Sequence, residues 1–104
     1  MYLTKDLIKN IALETGFSLR NQDNGIQDLN PYVYDFVDSM IRDVEKNSLC
    51  QLDQRRVRML AIDAGFKAKM QPSGVYDINP YVFNFSHKIL ETYCQQKKEN
   101  KHGN

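Results

Sequence analysis

Shifted by 49 positions, this chain of 104 residues matches itself: Ala12–Ile41 lies over Ala61–Leu90 without a gap, and 11 of the 30 pairs are identical. The identical pairs are Ala12/Ala61, Gly16/Gly65, Phe17/Phe66, Gln22/Gln71, Gly25/Gly74, Asp28/Asp77, Asn30/Asn79, Pro31/Pro80, Tyr32/Tyr81, Val33/Val82 and Phe36/Phe85. Others exchange like for like, as in Leu13/Ile62, Glu14/Asp63 and Leu29/Ile78. Such a match predicts one supersecondary unit written twice. Every local reading can therefore be made on both copies.

Each copy reads as helix, hairpin, helix. Thr4 and Asp53 are N-caps for the first helices, and Leu3 with Ile8, like Leu52 with Val57, forms a hydrophobic staple. Ile8, Ile11, Ala12 and Thr15, matched by Val57, Leu60, Ala61 and Ala64, share one face; Gly16 and Gly65 end the helices. Gln22-Asp23-Asn24-Gly25 and Gln71-Pro72-Ser73-Gly74 predict a type I turn closing on a left-handed glycine. In that register Phe17, Leu19 and Leu29 point inward, as do Phe66, Ala68, Met70, Tyr76 and Ile78. Arg20 stands opposite Asp28 and Lys69 opposite Asp77, which predicts a cross-strand ion pair in each hairpin. Asn30-Pro31 and Asn79-Pro80 open the second helices. Their buried stripes are Val33, Phe36, Val37, Met40, Ile41 and Val44, and Val82, Phe85, Ser86, Ile89, Leu90 and Tyr93.

The expected fold class is therefore α+β: a tandem duplication of an α-β-β-α unit, packed as one globule with pseudo-twofold symmetry. The expected boundaries are residues 1–48 for the first unit, 49–97 for the second and 98–104 for a disordered polar tail. A unit of this size seldom holds a core alone, and only Asn47–Gln51 separates the copies, so the units are expected to pack on each other. Hydrophobic content of 41% and charged content of 26% argue against a disordered chain. The amino terminus lacks the apolar block of a secretion signal, no run reaches membrane-spanning length, and Cys50 and Cys94 are too few for a disulfide scaffold. A cytoplasmic protein with free thiols is expected.

Chemistry is harder to find. His87 and His102 have no Cys or carboxylate neighbours at metal-ligand spacing, and no nucleophile elbow, P-loop or dinucleotide fingerprint is present. Asp28 and Asp77 are the best catalytic candidates because both copies carry one. Each also stands opposite a base and two residues before an N-cap, so a local ion pair explains it. No enzyme activity, cofactor or metal is expected. Tyr32, Tyr34 and Tyr81 sit at the edge of the apolar stripes, either as recognition groups or as the finish of the core. Ile26 and Val75 face outward at the same hairpin position. These five residues form the candidate protein-interaction surface.

Net charge is +1, but residues 1–49 carry five basic and eight acidic side chains, leaving the excess of base in the second copy. Arg55, Arg56, Arg58, Lys67 and Lys69 are the alternative, nucleic-acid-binding set.

The strings Ala12-Leu13-Glu14-Thr15-Gly16-Phe17 and Ala61-Ile62-Asp63-Ala64-Gly65-Phe66, with Phe36-Val37 and Phe85-Ser86 beginning the later helical segments, resemble a set of short uncharacterised tailed-phage proteins. Those proteins carry an "AxEAGF" helix end, a hairpin and a second helix. The chain departs from the set in having two copies and a different helix end. The resemblance implies a small phage protein acting in the bacterial cytoplasm, with no activity or site residue to carry over. The expected function is a non-enzymatic interaction protein that modulates a host protein, its partner a host or phage protein, with nucleic acid as the alternative and no membrane.

Overall fold

The capping chemistry sets the frame. A computed structural model describes residues 3–102, with side chains described for residues 3–98. Thr4 accepts a hydrogen bond from the Leu7 N–H and starts α1, Lys5–Thr15; Asp53 accepts from the Arg56 N–H and starts α3, Gln54–Ala64. Both helices stop the same way. Gly16 and Gly65 take φ of 124° and 133°, and the N–H groups of Phe17 and Phe66 reach back to the carbonyls of Ala12 and Ala61 at 2.9 and 3.0 Å. Asn30 caps α2, Pro31–Asn47, through the Tyr32 N–H, and Asn79 contacts the Tyr81 N–H at the start of α4, Pro80–His102. Between each helix pair lies a two-stranded antiparallel hairpin: β1, Arg20–Asn21, with β2, Gln27–Asp28, and β3, Lys69–Met70, with β4, Tyr76–Asp77. The described residues thus form an α+β fold of four helices and two small hairpins.

The helices cross between the halves of the chain. α1 packs mainly on α4, and α2 mainly on α3, with α2 and α4 also in contact. The expected stripes of α2 and α4 are all buried and meet Ile8, Ile11, Ala12, Val57 and Ala61 in one core. An aromatic cluster sits at the crossing. Phe17 lies 4.7 Å from Tyr81 and 4.9 Å from Phe85; Phe66 lies 4.7 Å from Tyr32 and 5.3 Å from Phe36. Phe17 also meets Phe66 at 5.9 Å, and Phe36 meets Phe85 at 6.3 Å. Each contact thus has a counterpart 49 positions away. Pairs of this geometry stabilise by about 0.5–1.5 kcal/mol beyond their buried area.

The helix-ending glycines take part in the same crossing. A Cβ on Gly16 would stand 2.9–3.2 Å from the Tyr81 ring and Cβ, and one on Gly65 would stand 3.0–3.1 Å from Tyr32. Glycine is required there twice over, for its positive φ and for the close approach of the tyrosine.

Two expectations fail. The second helix of the C-terminal half does not end near Lys97; α4 runs to His102. Lys97–His102 contains strong helix formers and neither Gly nor Pro, and the first glycine is Gly103. Residues 98–102 of the expected tail are therefore helical, while Gly103 and Asn104 lie outside the described residues. Met70 and Tyr76, expected inside, are 67% and 68% exposed. They pair with each other one step nearer the turn than the Lys69–Asp77 pair, where neither side chain is covered.

Candidate functional site

The hairpins are held by side chains that both halves share. In each turn the fourth residue donates to the first: Gly25 N–H to the Gln22 carbonyl and Gly74 N–H to the Gln71 carbonyl, both at 2.8 Å. Gly25 and Gly74 have φ of 81° and 87°, the expected bulged turn. The Gln22 amide donates to the carbonyls of Arg20 and Asp28, and the Gln71 amide to those of Lys69 and Asp77, tying the strands at the last pair.

Asp28 and Asp77 anchor each hairpin to a helix. The backbone register is as expected, Arg20 with Asp28 and Lys69 with Asp77. The predicted cross-strand ion pairs do not form. Each carboxylate accepts from the next backbone N–H, of Leu29 or Ile78, at 2.7 Å, and is turned toward the first helix of its own half. There the halves solve one problem in two ways. Asp77 takes a bidentate bond from Arg58 at 2.7 and 2.9 Å, and the guanidinium lies 5.6 Å over the Phe83 ring. Asp28 instead accepts the Tyr34 hydroxyl at 2.6 Å and lies 3.6 Å from the Lys9 ammonium, while Lys5 stands 5.2 Å over the Tyr34 ring. Lys9 and Tyr34 thus occupy the places of Arg58 and Phe83.

The electrostatics follow. The Tyr34 hydrogen bond holds the Asp28 carboxyl below its usual range, and the Arg58 guanidinium does the same for Asp77. Burial and the Asp28 carboxylate push the Tyr34 hydroxyl well above the usual phenol range. Arg56, bidentate to Asp43 at 2.8 and 2.9 Å across the α2–α3 contact, lowers that carboxyl too. A carboxyl depressed in the folded state stabilises above its unfolded value, and that stability is lost as pH falls through the folded value. Three such groups predict an acid limb: Tm is flat near neutrality and falls below about pH 4. Arg58→Met should shallow that fall, measured as Tm between pH 7 and pH 2.5.

With these residues assigned, the candidate surface sorts itself. Tyr32 and Tyr81 are half-buried against Gly65 and Gly16, and Tyr34 is bonded to Asp28. Ile26 and Val75 stand at the hairpins, 61% and 58% exposed. Together with Met70 and Tyr76 they are the four most exposed large apolar side chains among the described residues. Sequence reasoning missed Met70 and Tyr76 as surface groups. Their counterparts 49 positions earlier, Asn21 and Gln27, carried the signal, since a polar residue at the same hairpin position marks it as wet.

In the alternative set, Arg56 and Arg58 are engaged with Asp43 and Asp77, whereas Arg55, Lys67 and Lys69 are exposed. Among the described residues, no group of three or more His, Cys, Asp or Glu could hold a metal ion, and no helix is long and apolar enough to cross a membrane. His87 pairs with Glu91 at 3.5 Å on the surface of α4.

A groove of about 710 Å³ lies along α4 and the start of α3, floored by Leu52, Val57, Phe83 and Leu90 and passing Cys50 and Cys94. Sequence reasoning did not expect it. Val57 stands where the other half has Ile8, and Ser86 where it has Val37, so this half fills the same space with less side chain. No protein-family model, curated protein or solved structure matches the chain.

Proposed function

We propose that this is a small non-enzymatic protein, a tandem duplication with pseudo-twofold symmetry, that acts by binding another protein through the second hairpin. The observation that carries the reading is the exposure of Met70, Val75 and Tyr76 on one short hairpin that the Gln71 amide ties across its strands. Residues identical in the two halves have structural work: Gly16 and Gly65 against the tyrosines, Gln22 and Gln71 across the strands, Asp28 and Asp77 at the anchors. Specific function is then to be sought where the halves differ. Met70 and Tyr76 replace Asn21 and Gln27 there. Exposed Lys67 and Lys69 precede Met70 on the same arm of the hairpin, so the fitting partner presents an apolar surface with acidic groups beside it. The phage resemblance makes a host protein in the bacterial cytoplasm the expected partner. Ile26 is a lesser contact on the first hairpin, and Tyr32, Tyr34 and Tyr81 hold the scaffold.

A tagged chain drawn through bacterial lysate, with and without nuclease, tests this together with the double variant Met70→Ser, Tyr76→Ser. The expected result is a nuclease-resistant protein partner that the variant loses, with Tm changed by less than about 2 °C because both positions are exposed. Capture that survives the double variant overturns the surface. Capture lost on nuclease treatment, with steep salt dependence, favours the nucleic-acid reading through Arg55, Lys67 and Lys69.

A further inference from the structure

Cys50 and Cys94 are far apart in sequence and adjacent in space. Cys50 is exposed in the segment joining α2 to α3; Cys94 is buried on α4. Both line the groove of about 710 Å³, and both line a second groove of about 260 Å³ formed with Val44, Glu45, Ser48, Leu49, Tyr93, Lys97 and Lys98. The two cysteines, from different elements, are thus brought together along both grooves. Cys50 is close enough to act on the Cys94 thiol, raising its pKa.

We propose that Cys50 and Cys94 form a reversible intramolecular disulfide by thiol–disulfide exchange with a small-molecule disulfide, fastening the segment between the halves to α4. The Cys50 thiolate attacks one sulfur of the reagent, forming Cys50–S–S–R and releasing one thiolate, which takes up a proton. Cys94 then loses its proton and attacks the Cys50 sulfur, forming the Cys50–Cys94 bond and releasing the second thiol. The chain is oxidised by two electrons, and the reagent is reduced to two thiols.

The order of steps follows from the surroundings. Exposed Cys50 is the entry point. Burial and the neighbouring Cys50 push the Cys94 thiol up to about 11, so it waits protonated. Capping Cys50 as a mixed disulfide removes its opposition to the Cys94 thiolate, while Lys97 and Lys98 still favour that thiolate.

The test uses the full chain with excess glutathione disulfide, followed by intact mass, peptide mapping and Tm. The expected product is monomeric, lighter by two hydrogens, yields a peptide joining Cys50 to Cys94, and melts higher by on the order of 10 °C, because the bridge closes a long loop. Dithiothreitol reverses every change. Cys50→Ser, a change at an exposed position, keeps the Tm of the untreated chain and does not respond. A persistent mixed disulfide on Cys50, or a dimer linked through it, overturns the proposal. So does a Cys50→Ser chain whose Tm rises as much as the unsubstituted one.

Discussion

Residues 1–48 and residues 49–104, each made separately, will give the circular dichroism of largely unfolded peptides at micromolar concentration, without a cooperative thermal transition. Mixed in equal amounts they will recover the helical signal and one transition. The reason is the crossing of the helices. α1 finds its main packing on α4 and α2 on α3, so cutting between α2 and α3 removes from each piece the surface that covers its apolar face. Val33, Phe36, Val37 and Met40, all buried in the whole chain, would meet water in the first piece. Pieces of 48 and 56 residues have little surplus stability to absorb that. A sharp melt from either monomeric piece would show that a half holds its own core.

Phe85→Ala will destabilise the chain by about 3–5 kcal/mol, a large share of what a small domain has. Phe85 is fully buried and packs on both Phe17 and Phe36, so its loss opens a void at the centre of the crossing. Tm should fall by at least about 12 °C. Phe36→Ala should do nearly the same, since Phe36 makes the counterpart contacts. A fall confined to a few degrees in either variant would mean that the cluster is loosely packed.

The local structure was largely legible in the sequence because its signals are short-range. Caps at Thr4, Asp53 and Asn30, stops at Gly16 and Gly65, and the bulged turns are each written within a few residues. The stripes of α2 and α4 gave the core directly. What periodicity does not carry is which helix faces which. Tyr32 against Gly65 and Arg56 with Asp43 are contacts between distant stretches of chain, and Cys50 and Cys94 line the same two grooves. Periodicity also does not say where a strand ends relative to the helices that shelter it. Met70 and Tyr76 satisfy the alternation of an inward face, yet the sheltered part of the hairpin stops before them. The anchors at Asp28 and Asp77 were misassigned for a related reason. Strand register places a base opposite each carboxylate, but the adjoining backbone N–H turns the carboxylate toward Lys9 or Arg58 on a helix.

The way the halves embrace also bears on how many molecules make one fold. Every contact between α1 and α4, or α2 and α3, could be supplied as well by a neighbour, because nothing in the packing records that both helices belong to one polypeptide. A molecule opened at residues 48–53 can close on a second one opened likewise, yielding an exchanged dimer with the interior of the monomer twice over. A short tie favours closing within one chain by proximity, so high protein concentration is the condition under which exchange would show.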